Sequence, residues 1–246
     1  LVNRIWFNLM GRGIVEPVDD FRETNPPSHP GLITALAREL RRSDFDLRSV
    51  IRLIMNSNTY QLSSIPLPSN EGTDTGFARV SPRRLDAEQL VDGLAQVLGQ
   101  RPSFNGYPQG IRAVQLPGTN AILPRYKKPS SADVFLRLFG KPERQLTCEC
   151  ERMAQTHLGQ AFHLVSGPML HEMISSSENR LGSLVDSGAS HLKLIDELYW
   201  SALGRPPEEA EASAAVELFS SAGGKRAALE DLAWALVNSK EFLLRR

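Results

Sequence analysis

Several things are scarce in this sequence, and each scarcity narrows what the chain can be. It holds two cysteines in 246 residues, so a disulfide-stapled fold is excluded. Neither charge is in excess, since Lys+Arg and Asp+Glu both number 28. A basic nucleic-acid surface or a polyanionic tail depends on such an excess, so nucleic acid is not an expected partner. No apolar run approaches the roughly 18–20 residues that cross a bilayer, so no membrane span is expected. The motifs of common chemistries are missing too. There is no Gly-x-Ser-x-Gly around a nucleophile, no Gly-x-x-x-x-Gly-Lys phosphate cradle, no Gly-x-Gly-x-x-Gly dinucleotide loop and no Asp-x-Asp-x-Asp-Gly calcium loop. Without Cys-x-x-Cys-His the chain cannot attach a c-type haem in the ordinary way. The balance leans away from an enzyme without deciding the matter.

An initiator Met is absent as well. The chain opens Leu1-Val2-Asn3-Arg4-Ile5-Trp6, and Val2, Ile5, Trp6 and Leu9 already follow the spacing of an amphipathic helix. No start signal stands ahead of Val2, although a helix needs its first amide groups satisfied. The expectation is an interior piece of a longer polypeptide, with upstream turns that complete this helix.

What is present reads as helix. Hydrophobic residues make up 41% of the chain, enough for a sizeable core. Leu32, Ile33, Leu36 and Leu40 line one face of a helix starting near Ser28 and Pro30. Leu47, Val50, Ile51 and Ile54 line the next, with Asp46 as its cap. Asp86 and Gln89 form a capping box for a third, whose stripe is Leu90, Val91, Leu94, Val97 and Leu98, and which Gly99 stops. From about 100 to 147 the periodicity lapses, and seven Gly or Pro residues fall between Pro102 and Pro124. There Ile111–Leu116 alternates weakly enough to suggest a strand, and Phe135, Leu136, Leu138 and Phe139 suggest one short helix. Helices are predicted again over His157–Val165 and Met169–Ile174. A stripe of Leu192, Ile195, Leu198, Tyr199 and Leu203 ends at Gly204, and Pro206-Pro207-Glu208-Glu209 opens another helix. Leu229, Leu232, Ala233, Leu236 and Val237 mark the next, and Ser239 caps a last turn. The fold expected is mainly α. It is a multi-helix, bundle-like domain over 1–189 with a long irregular insert at about 100–147 able to hold short strands, and a helical subdomain over 190–246.

Three groups of residues could carry chemistry. Cys148-Glu149-Cys150-Glu151-Arg152 places two thiols on one face if extended. With His157 they could hold a transition metal or a redox couple, whereas two small buried side chains beside an ion pair are the structural alternative. On a helix His157 and His163 would lie roughly 120° apart, given ~3.6 residues per turn, so both could not easily face one ion. Glu16, Asp19, Asp20 and Arg22, with Arg83 and Arg84 as further partners, form either a polar site or a network of caps and ion pairs. Tyr107, Arg125, Tyr126, Lys127 and Lys128 decorate the irregular insert, where they could touch a glycan, an anionic partner or a neighbouring domain, or simply lie on a solvated loop. His29, His171 and His191 are isolated.

Several of these stretches carry a resemblance. They are Asn3-Arg4-Ile5-Trp6, Gly11-Arg12-Gly13-Ile14-Val15, Pro17-Val18-Asp19-Asp20-Phe21-Arg22, Asn25-Pro26-Pro27-Ser28-His29-Pro30, Ser57-Asn58-Thr59-Tyr60-Gln61, Arg83-Arg84-Leu85-Asp86-Ala87-Glu88, Cys148-Glu149-Cys150-Glu151-Arg152 and Leu236-Val237-Asn238-Ser239-Lys240-Glu241-Phe242. Nearly end to end, the chain resembles the domain of unknown function near the C-terminus of large cytochrome-c-associated proteins of planctomycetes and related bacteria. The resemblance implies an extracytoplasmic, exported multidomain parent. It implies as partners the upstream domains of the same polypeptide, a cytochrome-c-like domain among them, together with carbohydrate-binding-type modules. It brings no catalytic residues with it. Three functions follow as expectations: a structural or interaction module, a metal- or thiol-dependent enzyme domain at Cys148, Cys150 and His157, or a carbohydrate-processing domain using the acidic loop. The last needs two carboxylates about 5–9.5 Å apart across one cleft, and is removed if Asp19 and Asp20 both turn into arginine pairs.

Overall fold

A computed structural model describes residues 1–71, 76–117, 128–142 and 158–245. It is mainly α, as expected, and divides into two compact units. One comprises Leu1–Arg84 with Arg245–Arg246, the other Leu85–Leu244.

The first unit is built on three helices, α1 (Val2–Met10), α2 (Pro30–Arg42) and α3 (Leu47–Met55), each packed on the other two. Their core is Val2, Trp6, Met10, Ile14, Leu36, Leu40, Val50, Ile54 and Phe77, with the Trp6 and Phe77 rings edge to face at 5.1 Å. Pro30 opens α2, where its missing N–H costs nothing. Asp46 caps α3 by accepting from the Arg48 amide at 2.9 Å and the Ser49 hydroxyl at 2.6 Å. The stripe expected on α3 is only partly inward. Val50 and Ile54 are buried, but Leu47 in the first turn is 42% exposed. Between α2 and α3 the chain turns through two left-handed residues, Asp44 (φ 53°) and Phe45 (φ 61°).

In the second unit α4 (Ala87–Leu98) is buried along most of its length, from Ala87 to Leu98. The Gln89 Oε1 accepts from the Asp86 amide at 3.1 Å, closing the expected capping box. Gly99, at φ 68°, ends the helix where a Cβ would meet Arg180 at 3.1 Å. Around α4 lie α5 (Ser131–Leu138), α6 (Leu158–Ser166), α7 (Pro168–Ser175), α8 (Arg180–Asp186), α9 (His191–Leu203), α10 (Glu209–Ser221), α11 (Lys225–Val237) and α12 (Lys240–Leu243). One continuous core runs through them, including the stacked rings of Phe135 and Phe139 at 4.0 Å. α9 packs through Leu194, Ile195, Leu198 and Tyr199, while Leu192, read as part of its stripe, is 63% exposed. The buried stripe of α11 includes every residue expected.

The insert gave one clear difference. Ile111–Leu116 is not a strand but contains a 3₁₀ turn over Ala113–Gln115. The carboxylate of Asp92 on α4 accepts from the Ala113 amide at 2.7 Å and holds the backbone in a turn. Ala113 and Leu116 then fall three residues apart on the buried side, which suits three residues per turn. Among the described residues the sheet is a single ladder of two short strands, β1 (Arg83–Arg84) and β2 (Leu244–Arg245). No helix among the described residues is long and apolar enough to cross a membrane.

Candidate functional site

The acidic loop is the best-defined polar constellation of the first unit, and it is organised from inside α1. Asn3 lies in that helix with 1% of its surface exposed. Asparagine is a poor helix former, and its side chain is spent elsewhere. Its Nδ2 donates to the Val15 carbonyl at 2.8 Å and the Val18 carbonyl at 2.7 Å. Its Oδ1 accepts from the Ile14 amide at 2.8 Å and the Val15 amide at 3.1 Å. One side chain thus satisfies four backbone groups of a loop packed against the core, where unpaired groups would be costly.

Short local bonds complete the frame. The Glu16 carboxylate accepts from the Gly13 amide at 2.8 Å, and the Glu16-Pro17 peptide is cis. Asn25 donates from Nδ2 to the Asp20 carbonyl at 2.8 Å and the Glu16 carbonyl at 3.2 Å. Ser28 donates from its amide and its hydroxyl to the Ile14 carbonyl at 2.8 and 2.9 Å.

On this frame the expected site residues separate. Asp19 receives Nε and Nη2 of Arg4 at 2.7 and 3.0 Å. Asp20 receives Nε and Nη2 of Arg22, both at 2.6 Å. Each carboxylate is therefore held by both oxygens in a planar guanidinium fork. Bonding to Arg22 also holds the Asp20 carboxyl below its ordinary range. A general acid needs the opposite shift, a carboxyl kept protonated near neutral pH. Arg83 turns to α1 instead, with its guanidinium 5.3 Å from the Phe7 ring centroid and Nη2 donating to the Asn8 carbonyl at 2.8 Å. Arg84 sits half-buried in β1. The structure thus brings Asp20 and Arg22 together and gives Asp19 a partner, Arg4, that the sequence reading did not name. Nothing local in the sequence marks Arg4 or Asn3, because their partners lie 11–15 residues away along the chain.

The other candidates fall as follows. Cys148, Cys150 and His157 lie outside the described residues, as do Arg125, Tyr126 and Lys127. Tyr107 packs against the core, and burial pushes its phenol above the ordinary value. Lys128 offers its carbonyl to the Asn105 amide group. His29 tilts against Phe77 at 5.5 Å and His191 against Phe219 at 4.8 Å. His171 lines a cleft with Glu230, Asp231 and Trp234. Among the described residues no group of three or more His, Cys, Asp or Glu is placed to hold a metal ion.

A family model described as PSD1, protein of unknown function (DUF1553), matches residues 1–219. The chain belongs to that family. No curated protein and no solved structure matches it. The match spans the acidic loop and its Asn3 frame, so the constellation described above lies wholly within the DUF1553 segment.

Proposed function

We propose that this DUF1553 chain is a structural or interaction module of an exported, multidomain bacterial protein. In this reading it packs against other domains of its own polypeptide, a cytochrome-c-like domain and carbohydrate-binding-type modules among them. The parent belongs to planctomycetes or related bacteria and works outside the cytoplasm. One observation carries the reading. The acidic loop, one of the stretches that could carry chemistry, has its two aspartates bound bidentate to Arg4 and Arg22 and its backbone pinned by Asn3. Such a loop is a tied-down presenting surface whose two aspartates are both taken up by arginines, which weighs against carbohydrate processing by that pair.

The test is association. The chain and the remainder of its parent polypeptide are produced as separate molecules and mixed. Co-elution on size exclusion, with mutual protection from limited proteolysis, is the expected outcome. A chain that stays apart from every other domain and hydrolyses a substrate by itself would refute the reading. Cell fractionation checks the location, and a cytoplasmic parent would remove that part.

A further inference from the structure

Beside the acidic loop the first unit carries a groove of about 460 Å³, within the usual range of ligand sites. One wall is the turn carrying Phe21 and Pro27. The other is α2, with Ile33, Thr34, Ala37, Arg38 and Arg41. The spacing from Thr34 to Arg38 to Arg41 is i, i+4, i+7, which puts one face of the helix along the groove.

Phe21 is 59% exposed. An exposed aromatic ring on a mobile tip is unremarkable, but this one stands on a fixed base. The Asp20–Arg22 fork brackets it, and Asn25 holds the Asp20 carbonyl. The backbone beneath it is thus tied on both sides, which lowers the ordering cost of binding. Aromatic and Arg side chains in one patch are the composition of an interface centre. Arg38 and Arg41 are exposed, and neither has an ion-pair partner among the described residues, whereas Arg42 is matched by Glu39 at 2.7 Å. The groove therefore offers an apolar floor and two unmatched positive charges on its helical wall.

We propose that this groove docks an acidic polypeptide segment bearing a branched aliphatic or aromatic anchor. This rests on the interaction-module reading and names its contact surface. Charge complementarity sets the acidic character. The lining favours a carboxylate-bearing chain over a neutral sugar. Phe21, Pro27, Ile33 and Ala37 are apolar, and the polar lining is Thr34 with the two arginines, whose charged forks bond carboxylates more strongly than hydroxyls.

The probe is a short fluorescent peptide of Asp and Glu around a central Leu-Phe pair, titrated against the full chain by anisotropy. Binding is expected to weaken at least about tenfold in Phe21→Ala and in the double variant Arg38→Glu, Arg41→Glu. It should also loosen as salt rises from about 0.05 to 0.5 M. Because these side chains are exposed, unchanged circular dichroism melts show that the variants stay folded. Equal binding by the variants, equal binding of a Lys-for-acid peptide, or tighter binding of polygalacturonate than of the peptide would each overturn the proposal. The same variants go into the association assay with the parent's other domains. Full association by Phe21→Ala would sink the groove and leave the module reading standing, whereas no association by the unaltered chain would sink the module reading itself.

Discussion

Replacing Asn3 with alanine tests how the loop is held. The substitution orphans the amides of Ile14 and Val15 and the carbonyls of Val15 and Val18 at a place where Asn3 is 1% exposed. A hydrogen bond contributes about 1 kcal/mol net, and a buried group left unpaired costs about 1–3 kcal/mol. Four such groups in a dry site would set a cost well above 4 kcal/mol. The lost amide leaves room on the order of one water, which can serve two of the four. We expect about 3 kcal/mol of destabilisation, confined to the first unit. For a domain of 60–100 residues each kcal/mol shifts the midpoint by roughly 4–8 °C, so that unit should melt roughly 12–24 °C lower. Urea titration followed by Trp6 fluorescence, with Trp200 and Trp234 replaced by Phe in parent and variant alike, reports the change, and hydrogen exchange localises it to Ile14 and Val15. Asn3→Asp should be worse, because it sets a carboxylate against the Val15 and Val18 carbonyls. Asn8→Ala, which removes only an exposed bond to the Arg4 carbonyl at 2.9 Å, should cost less than about 0.5 kcal/mol. If Asn3→Ala lies within about 0.5 kcal/mol of the parent with both amides still protected, the side chain does not hold the loop and the reasoning fails.

Other expectations follow from the same structure. Arg205 bridges Glu211 (2.7 and 2.9 Å) and Glu241 (2.9 and 2.8 Å), and its hydrogen bonds hold the Glu211 carboxyl below its ordinary value. A carboxyl depressed by folding adds stability that is complete above its unfolded value and vanishes as pH falls through the folded one; denaturation midpoints of Arg205→Gln should therefore fall less steeply than the parent's below about pH 4.5. Phe135→Ala removes a fully buried ring stacked on Phe139, and should cost about 3–5 kcal/mol by chemical denaturation. Phe45→Gly relieves a bulky side chain from a left-handed position, and should raise the melting temperature of the first unit or leave it unchanged; a clear loss would show that the exposed ring packs in solution. Held as a metal site, Cys148, Cys150 and His157 predict close to one equivalent of transition metal by elemental analysis and thiols shielded from alkylation, and a content under about a tenth of an equivalent ends that reading.

How much could be read from the sequence depended on how local the cause was. α4 announced itself because its cap, stripe and stop (Asp86 with Gln89, Leu90 to Leu98, Gly99) lie in one stretch. The stripe of α11 did the same. α8 gives no such signal, since seven residues carry too little periodicity; Asn179 caps it by accepting from the Gly182 amide at 3.1 Å while its Nδ2 reaches back to the Met173 and Ile174 carbonyls. The alternation of Ile111–Leu116 misled because the deciding group, Asp92, sits about twenty residues upstream. Leu47 and Leu192 fit their helical patterns but fall in first turns that stay exposed. The charges of the acidic loop are plain in the sequence, yet what holds them is Arg4 and Asn3, ordinary residues of a helix until the chain folds back on them.

The way the loop is tied also says where this chain can change its length. Ser28 closes it on the Ile14 carbonyl, Asn3 fixes 14–18, and Asn25 and Arg22 close a turn through a 2.9 Å bond whose outermost residues, Glu23 and Thr24, are exposed. Closure entropy grows only with the logarithm of the span, about 0.6 kcal/mol per doubling. Residues added between Glu23 and Thr24 would extend outward at that small cost, while a single residue added between Ile14 and Val18 would pull all four backbone groups off Asn3. Variation in length should therefore gather at the tip, and a label or tag inserted there would ride on the base that Asn3, Asn25 and Ser28 tie together.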